Sequence, residues 1–226
     1  MYMTSYKFLD HHWIGRLDEE ARSALEAAMV AKKFERGALL FSRGEVPEGL
    51  FVVREGSALL YLFGLNGRRM LLDILYSGDM IAETFAFDGR PATVSVEART
   101  ELTTLLVPAH RLSLLMERFP QIRLAMARTT ADNFRGVLTL LEEQVLMPLH
   151  DRTVHRLKRL CRAQGTQPVV TLALTQIELA MMLGASRQAV NNVLSELERR
   201  GAIVRRFQSI ECDLARLNES AKSARL

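Results

Sequence analysis

The sequence predicts an α+β protein, with an N-terminal antiparallel β-roll, a long central helix and a C-terminal pair of short helices followed by a β-hairpin. Short apolar runs broken by glycines extend from Phe34 to Pro108, a segment with no proline after its first residue follows from Pro120 to Met147, and two capped helical patterns lie between Thr171 and Arg206. A chain of 226 residues, 48% of them apolar, exceeds the usual size of one domain. We therefore expect three parts, over residues 1–119, 120–147 and 148–226.

The first predicted element is a helix over residues 18–33. Asp18 is a suitable N-cap, because its carboxylate can accept a hydrogen bond from a backbone N–H of the first turn. Leu17, Ala21, Leu25 and Ala28 share one face at helical spacing.

Five apolar segments predict strands of the β-roll. Short strands with turn signals at intervals of roughly 8–12 residues are typical of antiparallel sandwiches and barrels. The clearest segments are Leu39 to Phe41, Leu50 to Val53, Ala58 to Phe63, Met70 to Leu75 and Leu102 to Val107. Asn66-Gly67 predicts a tight hairpin between the third and fourth of these, because both residues tolerate a positive φ.

The segment from Pro120 to Met147 predicts one long helix with an apolar seam. Its residues alternate steps of three and four, the spacing that faces a partner helix; they are Ala127, Thr130, Phe134, Val137 and Leu141. The periodicity alone is equally consistent with dimerisation and with packing on the chain's own β-roll. Pro148 lacks an N–H and clashes with the preceding turn, so it predicts a hinge over residues 147–150 before a new helix over 151–164.

Residues 175–200 have the pattern of a helix-turn-helix. Thr175 can cap a short helix over 176–183, and Ser186 can cap a second helix that extends to about residue 200. Ala180 allows the two helices to cross closely, Gly184 permits a left-handed turn, and Val190 fills the space between them.

The start of the second helix carries side chains that can read bases, namely Arg187, Gln188, Asn191 and Asn192. Arginine can bond O6 and N7 of guanine, and glutamine or asparagine can bond N6 and N7 of adenine, so the major groove of DNA is the expected destination. Thr175, Gln176 and Ser186, at the two helix starts, are further candidate DNA contacts. The residues after Gly201 predict a β-hairpin, or wing, whose Arg205 and Arg206 are expected to meet phosphates.

Basic residues are concentrated towards the C-terminal end. Residues 148–226 carry 13 Lys and Arg against 7 Asp and Glu, whereas the first 147 residues carry 17 against 19. This asymmetry favours a polyanionic partner for the C-terminal part, with an ordinary solvated basic face as the alternative.

Residues from about 34 to 214 resemble the Crp/Fnr family of bacterial regulators. The resemblance rests on residues 175–201, on Gly37-Ala-Leu-Leu-Phe-Ser-Arg-Gly-Glu, on Leu50-Phe-Val-Val-Arg-Glu-Gly-Ser-Ala and on Gly78-Asp-Met-Ile-Ala-Glu, which is similar to the family's turn into a nucleotide-pocket glutamate, here Glu83. It implies a cyclic-nucleotide-binding-like jelly roll, a central helix that forms a homodimer, and a winged helix-turn-helix that binds a palindromic operator in double-stranded DNA.

The same resemblance implies a transcription regulator with RNA polymerase as a further partner, and the presence of only two cysteines favours a reducing cytoplasm as its location. An effector that contacts the β-roll and the central helices would select one setting of the two DNA-binding domains. In that setting the two recognition helices would lie about 34 Å apart, in successive major grooves.

The expected effector site departs from that of the family's cyclic AMP receptors, in which an Arg-Ser or Arg-Thr pair grips the cyclic phosphate. The matching stretch here is Gly89-Arg-Pro-Ala-Thr-Val-Ser-Val, in which Thr93 fits the hydroxyl position and Ala92 replaces the arginine. We therefore expect an effector other than cyclic AMP. The candidate effector residues are Ala82, Glu83, Arg90, Thr93, Leu140 and Leu141.

The second helix of the helix-turn-helix also departs from the family pattern. Arg187 matches the family arginine that contacts guanine, whereas Gln188 replaces a glutamate and Asn192 replaces a second arginine. These changes predict a half-site that keeps one guanine and accepts adenine at neighbouring positions.

Two cysteines, Cys161 and Cys212, are the only ones in the chain. The family's oxygen sensors carry an N-terminal cysteine cluster, so no iron–sulfur cluster is expected here, and we interpret both residues as structural or solvent thiols. His11, His12 and His110 could each supply an axial imidazole to haem, so a haem-dependent gas sensor is one alternative. A regulator that needs no effector is another.

Other classes of function are disfavoured by what the sequence lacks. No His-X-His pair occurs, so a metalloenzyme built on the β-roll is not expected. A cyclic-nucleotide-binding module without DNA activity does not account for residues 171–206. No apolar run approaches the roughly 20 residues needed to span a bilayer, so no membrane contact is expected.

Overall fold

The computed structural model describes residues 13–64, 67–164 and 167–223. The chain forms two compact units that divide after Val137. None of the helices in these ranges is long and apolar enough to cross a membrane. The architecture is α+β, as predicted, with antiparallel sheets in both units.

The first unit begins with a 3-10 helix, Trp13–Arg16, and helix α1, Glu19–Ala27. Asp18 caps α1 as predicted, since its Oδ1 accepts a hydrogen bond from the Ala21 N–H at 2.8 Å. The predicted continuation of this helix to residue 33 is wrong, because strand β1 occupies Val30–Phe34. All five residues of β1 pair with strand β8, Leu102–Pro108, and this pairing with a distant segment overrides the local apolar pattern.

The β-roll consists of two four-stranded antiparallel sheets. Between β1 and β8 lie strands β2 Leu39–Phe41, β3 Gly49–Glu55, β4 Ala58–Phe63, β5 Arg69–Leu75, β6 Met80–Ile81 and β7 Ser95–Ala98. One sheet has the order β1-β8-β3-β6 and the other β2-β7-β4-β5. Strands β4 and β5 form the predicted hairpin, although Asn66 itself lies outside the described residues.

Alternate residues of β3 face two different cores, as the two-residue period of a strand requires. Phe51 and Val53 pack between the two sheets. Leu50 and Val52 face the other way, into a core that contains Trp13 and residues of α1 and of helix α3, Ala109–Arg118. A short helix α2, Phe85–Asp88, follows β6.

The long helix α4 spans Pro120–Leu146, as predicted, and ends just before Pro148. A series of exposed positions at alternating steps of three and four follows one side of α4; we call it the α4 stripe, and it comprises Leu124, Ala127, Ala131, Phe134, Leu138, Leu141 and Val145. It shares three residues with the predicted seam. Thr130 and Val137, the other two seam residues, line a cavity of the first unit.

The second unit is a small helical domain with a three-stranded sheet of order β10-β11-β9. Its elements are α5 Leu149–Gln164, β9 Val169–Leu172, α6 Gln176–Met182, α7 Arg187–Arg199, β10 Ile203–Arg206, β11 Ser209–Asp213 and α8 Leu214–Ser223. The predicted helix-turn-helix corresponds to α6 and α7, and the predicted wing to β10 and β11. Strand β9, which the apolar pattern did not predict, pairs with β11 and extends the wing into a sheet.

The last turns of α4 belong to the second unit through buried polar contacts. Glu143, which is buried, accepts a hydrogen bond from Arg159 Nη1 at 3.0 Å and lies 3.6 Å from Arg156 Nη2. Gln144 Nε2 donates to the Met182 carbonyl at 3.1 Å. These contacts connect the end of α4 to α5 and to the first helix of the helix-turn-helix.

Candidate nucleic-acid interface and ligand cavity

The helix-turn-helix is held by the local contacts that its sequence predicts. Thr175 Oγ1 accepts from the Glu178 N–H at 3.1 Å and Glu178 Oε2 accepts from the Thr175 N–H at 2.7 Å, which forms a complete capping box. Ser186 Oγ caps α7 through the Ala189 N–H at 3.2 Å. Gly184 has a φ of 58°, in the left-handed region that glycine adopts without a Cβ clash. Val190 is fully buried behind the turn.

The start of α7 presents an exposed polar surface. Arg187, Gln188 and Asn192 are all exposed, and Gln188 Nε2 lies 3.4 Å from Asn192 Oδ1. Gln176, at the start of α6, is half-buried. The donors and acceptors on α7 are therefore available to a partner that can admit a helix, such as the major groove.

Arg205 makes contacts that the sequence did not predict. Its guanidinium donates to Glu198 Oε2 through Nε at 2.8 Å and through Nη2 at 2.5 Å, and Nη1 donates to Asn191 Oδ1 at 2.7 Å. These hydrogen bonds from Arg205 lower the pKa of the Glu198 carboxyl. The charge of Arg205 is thus paired with that of Glu198 within the domain, and its hydrogen bond to Oδ1 orients the side chain of Asn191.

The rest of the wing is more exposed. Arg206 is largely exposed and pairs with Glu211 Oε2 at 3.0 Å. Phe207, between the two strands, is 91% exposed. Phe207 was not among the predicted DNA contacts, although the sequence shows an aromatic residue at the turn of the predicted wing.

A cavity of 370 Å³ lies in the first unit, within the range of small-molecule sites. Most of its wall is apolar, and the polar side chains in it are Asp73, Glu83, Thr84, Thr93, Thr130 and Asn133. Among the candidate effector residues, Ala82, Glu83 and Thr93 line this cavity.

The other three candidate effector residues are placed elsewhere. Arg90 is exposed on a turn, where its backbone N–H bonds Asp88 Oδ1. Leu140 is buried in the second unit and Leu141 is exposed on the α4 stripe. The α4 residues that do line the cavity lie up to three turns earlier and are Thr130, Asn133, Phe134 and Val137.

Glu83 and Asn133 form the main polar pair in the cavity wall. Asn133 Nδ2 donates to Glu83 Oε1 at 2.9 Å. Burial raises the pKa of the Glu83 carboxyl, and the nearby Asp79 raises it further, against the opposing effect of the hydrogen bonds that Glu83 accepts. Ala82, the preceding residue, has a φ of 68°, a conformation that costs a non-glycine residue roughly 1–2 kcal/mol and is typical of functional loops.

Two sequence families match this chain in the order of its two units. The family described as "Cyclic nucleotide-binding domain" matches residues 31–119. The family described as "Crp-like helix-turn-helix domain" matches residues 151–220. A "CRP-like cAMP-activated global transcriptional regulator" of Mycobacterium tuberculosis is 29% identical over 191 residues, which cover 83% of this chain and 85% of that protein.

The chain belongs to the Crp/Fnr family of transcription regulators.

Solved structures of other proteins support the same fold for this Crp/Fnr regulator. A CooA mutant from Carboxydothermus hydrogenoformans aligns with a TM-score of 0.78 at 21% identity, covering 96% of this chain and 98% of that one. The "c-di-GMP Responsive Global Regulator CLP" of Xanthomonas campestris aligns with a TM-score of 0.74 at 21% identity, covering 86% and 99%.

The histidines and cysteines of this Crp/Fnr regulator do not gather around the cavity in the described ranges. His110 is exposed on α3 and is not among the residues that line the cavity, while His11 and His12 lie outside the described residues. Within the described ranges no group of three or more His, Cys, Asp or Glu residues could hold a metal ion. Cys161 and Cys212 are both buried, and a hydrogen bond between their thiols, together with burial, raises the pKa of Cys212.

Proposed function

We propose that this Crp/Fnr regulator binds a palindromic DNA operator as a homodimer, with α7 of each chain in a major groove, and that a ligand in the β-roll controls this binding. The observation that carries the DNA proposal is the exposed start of α7, where Arg187, Gln188 and Asn192 are all exposed. Arg206 and Phe207 of the wing lie on exposed surface that can contact the DNA backbone.

Arg187 is proposed to read a guanine through O6 and N7. Arg187→Ala should weaken specific binding by about 1–3 kcal/mol and relax the preference at that one base pair. The measurement is a titration of labelled oligonucleotides selected by the wild-type protein. Arg199→Ala is the matched control, since Arg199 is exposed at the opposite end of α7. Equal losses on all DNA sequences for Arg187→Ala would contradict the assignment.

The α4 stripe is proposed to be the dimer seam. Its large members are exposed at coiled-coil spacing, and Leu138 is 48% exposed in the isolated chain. Leu138→Asp should therefore weaken the dimer by roughly 1.5–3 kcal/mol, because burial of the exposed half of one leucine side chain is lost in each of two chains. Light scattering against dilution measures the dissociation, and Leu114→Asp is the control, because Leu114 is exposed on α3. A dimer unaffected by Leu138→Asp would count against this seam.

The ligand is proposed to differ from cyclic AMP, although the mycobacterial relative is named as cAMP-activated. Ala92 lines the cavity, and the resemblance aligns it with the phosphate-binding arginine of cyclic AMP receptors. An anion in this cavity would lack the bidentate guanidinium contact that stabilises phosphate. Calorimetry should show no binding of cyclic AMP at micromolar concentrations, and saturable micromolar binding would overturn the proposal.

A further inference from the structure

The cavity in the β-roll has an electrostatic character that restricts its ligand. Among its described lining residues none is arginine, lysine or histidine, and two are carboxylic acids, Asp73 and Glu83. A third acid, Asp79, is buried close enough to influence Glu83. An anionic ligand would therefore leave water without gaining a counter-charge and would meet acidic groups instead.

The rest of the wall is apolar. Phenylalanine, leucine, isoleucine, valine and methionine side chains supply much of it, including Phe41, Leu60, Leu75, Ile81 and Phe134. Burying hydrocarbon against such a wall contributes about 25 cal/mol per Å² of apolar surface removed from water. This contribution favours ligands that are mostly hydrocarbon.

Part of the cavity wall can make hydrogen bonds. Asn133 Nδ2 donates a hydrogen bond to Glu83 at 2.9 Å. The raised pKa of Glu83 favours its neutral acid form, which can donate one hydrogen bond as well as accept others. The Glu83–Asn133 pair can therefore meet a hydroxyl, amide or secondary amine without a change of charge.

We propose that this cavity binds an uncharged, mainly hydrocarbon molecule with one hydrogen-bonding group, which the Glu83–Asn133 pair contacts. The inference rests on the proposed role of the β-roll as the ligand-binding part of the regulator, and it names the ligand class. The main-chain contacts of Ala92, to the Gly44 N–H and the Glu45 carbonyl, both at 2.8 Å, fix this residue in the wall as a test position.

Two fluorescent probes with one common framework test the ligand class. N-phenyl-1-naphthylamine is uncharged and has one N–H donor, whereas 8-anilino-1-naphthalenesulfonate adds a sulfonate. We expect the uncharged probe to bind the wild-type protein more tightly, by roughly tenfold or more, since the sulfonate would be buried without a partner. Equal or tighter binding of the sulfonated probe, or no binding of the uncharged one, would overturn the proposal.

Ala92→Arg tests whether the probes bind in this cavity and whether the lack of a cation there causes the preference for the uncharged probe. The arginine would occupy part of the cavity and supply a cation, so affinity for the uncharged probe should fall and the preference should move towards the sulfonate. Ala27→Arg, at the exposed end of α1, makes the same substitution on the surface of this unit and should change neither affinity. Ala92→Met provides an independent reading if the arginine variant does not fold, because it fills part of the cavity without charge; it should weaken binding of the uncharged probe without moving the preference towards the sulfonate.

An unchanged affinity for the uncharged probe in both Ala92 variants would place its site elsewhere and overturn the proposal. Because the probes are titrated into the protein without DNA, these results do not depend on the DNA proposal. A failure of operator binding in a separate titration would count against the proposed function, but it would not change the conclusion about the ligand class.

Discussion

Replacing Arg205 by alanine separates two roles that a wing arginine can have. If Arg205 contacts phosphate, its loss weakens binding to all DNA sequences and reduces the salt slope by about 1. The structure instead pairs Arg205 with Glu198 and with Asn191 Oδ1, at 2.5 to 2.8 Å for its side-chain nitrogens. We expect Arg205 to act on DNA through Asn191, by holding the amide of that side chain in one orientation.

The size of the effect follows from these contacts. A hydrogen bond to a charged group contributes about 1.5–3 kcal/mol, and a base-reading side chain discriminates by about 1–3 kcal/mol. Arg205→Ala should therefore remove up to about 1–3 kcal/mol of preference at the base pair that Asn191 faces, with a similar upper bound on the loss of unfolding free energy. Arg205→Lys should not restore the preference, because an ammonium group cannot reproduce the planar fork of donors.

The assay compares affinities for the selected operator and its single-base variants at several salt concentrations. Arg206→Ala is the matched control, since Arg206 lies next in the wing, is exposed and is expected to meet phosphate. Urea titrations confirm that each variant is folded at the assay temperature. If Arg205→Ala weakens binding to all DNA sequences equally and reduces the salt dependence of the affinity, the positioning role assigned to Arg205 is refuted.

Three further predictions concern the second unit. Glu143→Gln should lower the free energy of unfolding in urea by about 3–5 kcal/mol, because Arg156, whose side chain is 2% exposed, loses its buried counter-charge; a change below about 1 kcal/mol would contradict this. Cys212 should react slowly with iodoacetamide in the native protein and rapidly in urea, because the hydrogen bond to Cys161 and burial keep its thiol protonated; rapid native alkylation, followed by mass spectrometry, would show otherwise. The pKa of Glu198 is lowered, so its pairing stabilises the fold above the usual carboxyl range and is lost as pH falls through the lowered pKa. The stability deficit of Glu198→Gln should therefore be constant near neutral pH and disappear in acid, and a deficit that persists in acid would count against the ion pair.

Predictions from the sequence succeeded where the chemistry is local. Thr175, Ser186 and Gly184 determine the caps and the turn of the helix-turn-helix through contacts within a few residues, so their types alone indicate the conformation. The prediction of a helix up to residue 33, where the structure has strand β1, was wrong for the opposite reason. The local sequence of Val30 to Phe34 allowed the helix to be extended to residue 33, and only pairing with β8, far along the chain, decides their conformation.

The site residues divide in the same way. Glu83 and Thr93 were predicted because the resemblance aligns the short segments that contain them with the family's nucleotide pocket, whereas Asn133 depends on which side of α4 faces the β-roll. Leu140 and Leu141 also came from the resemblance, and they lie about one turn beyond Val137, the last α4 residue in the described lining of this cavity. Helix periodicity gives the spacing of a face but not the point at which another domain meets it. Likewise, the charge of Arg205 was visible in the sequence, but its pairing with Glu198 across the start of the wing was not.

Phe134 connects the proposed ligand cavity with the proposed dimer seam. It lines the cavity, where it lies one residue after Asn133, and it is also a member of the α4 stripe, with 62% of its surface exposed in the isolated chain. If the stripe pairs two chains, a ligand that contacts Phe134 changes the surface that this chain offers to its partner. By thermodynamic linkage, dimerisation then changes the affinity for the ligand by the same factor by which the ligand changes the affinity between the two chains. Under these two proposals, a signal in the β-roll needs no separate relay to reach the dimer, because the Phe134 side chain belongs to both the cavity wall and the α4 stripe.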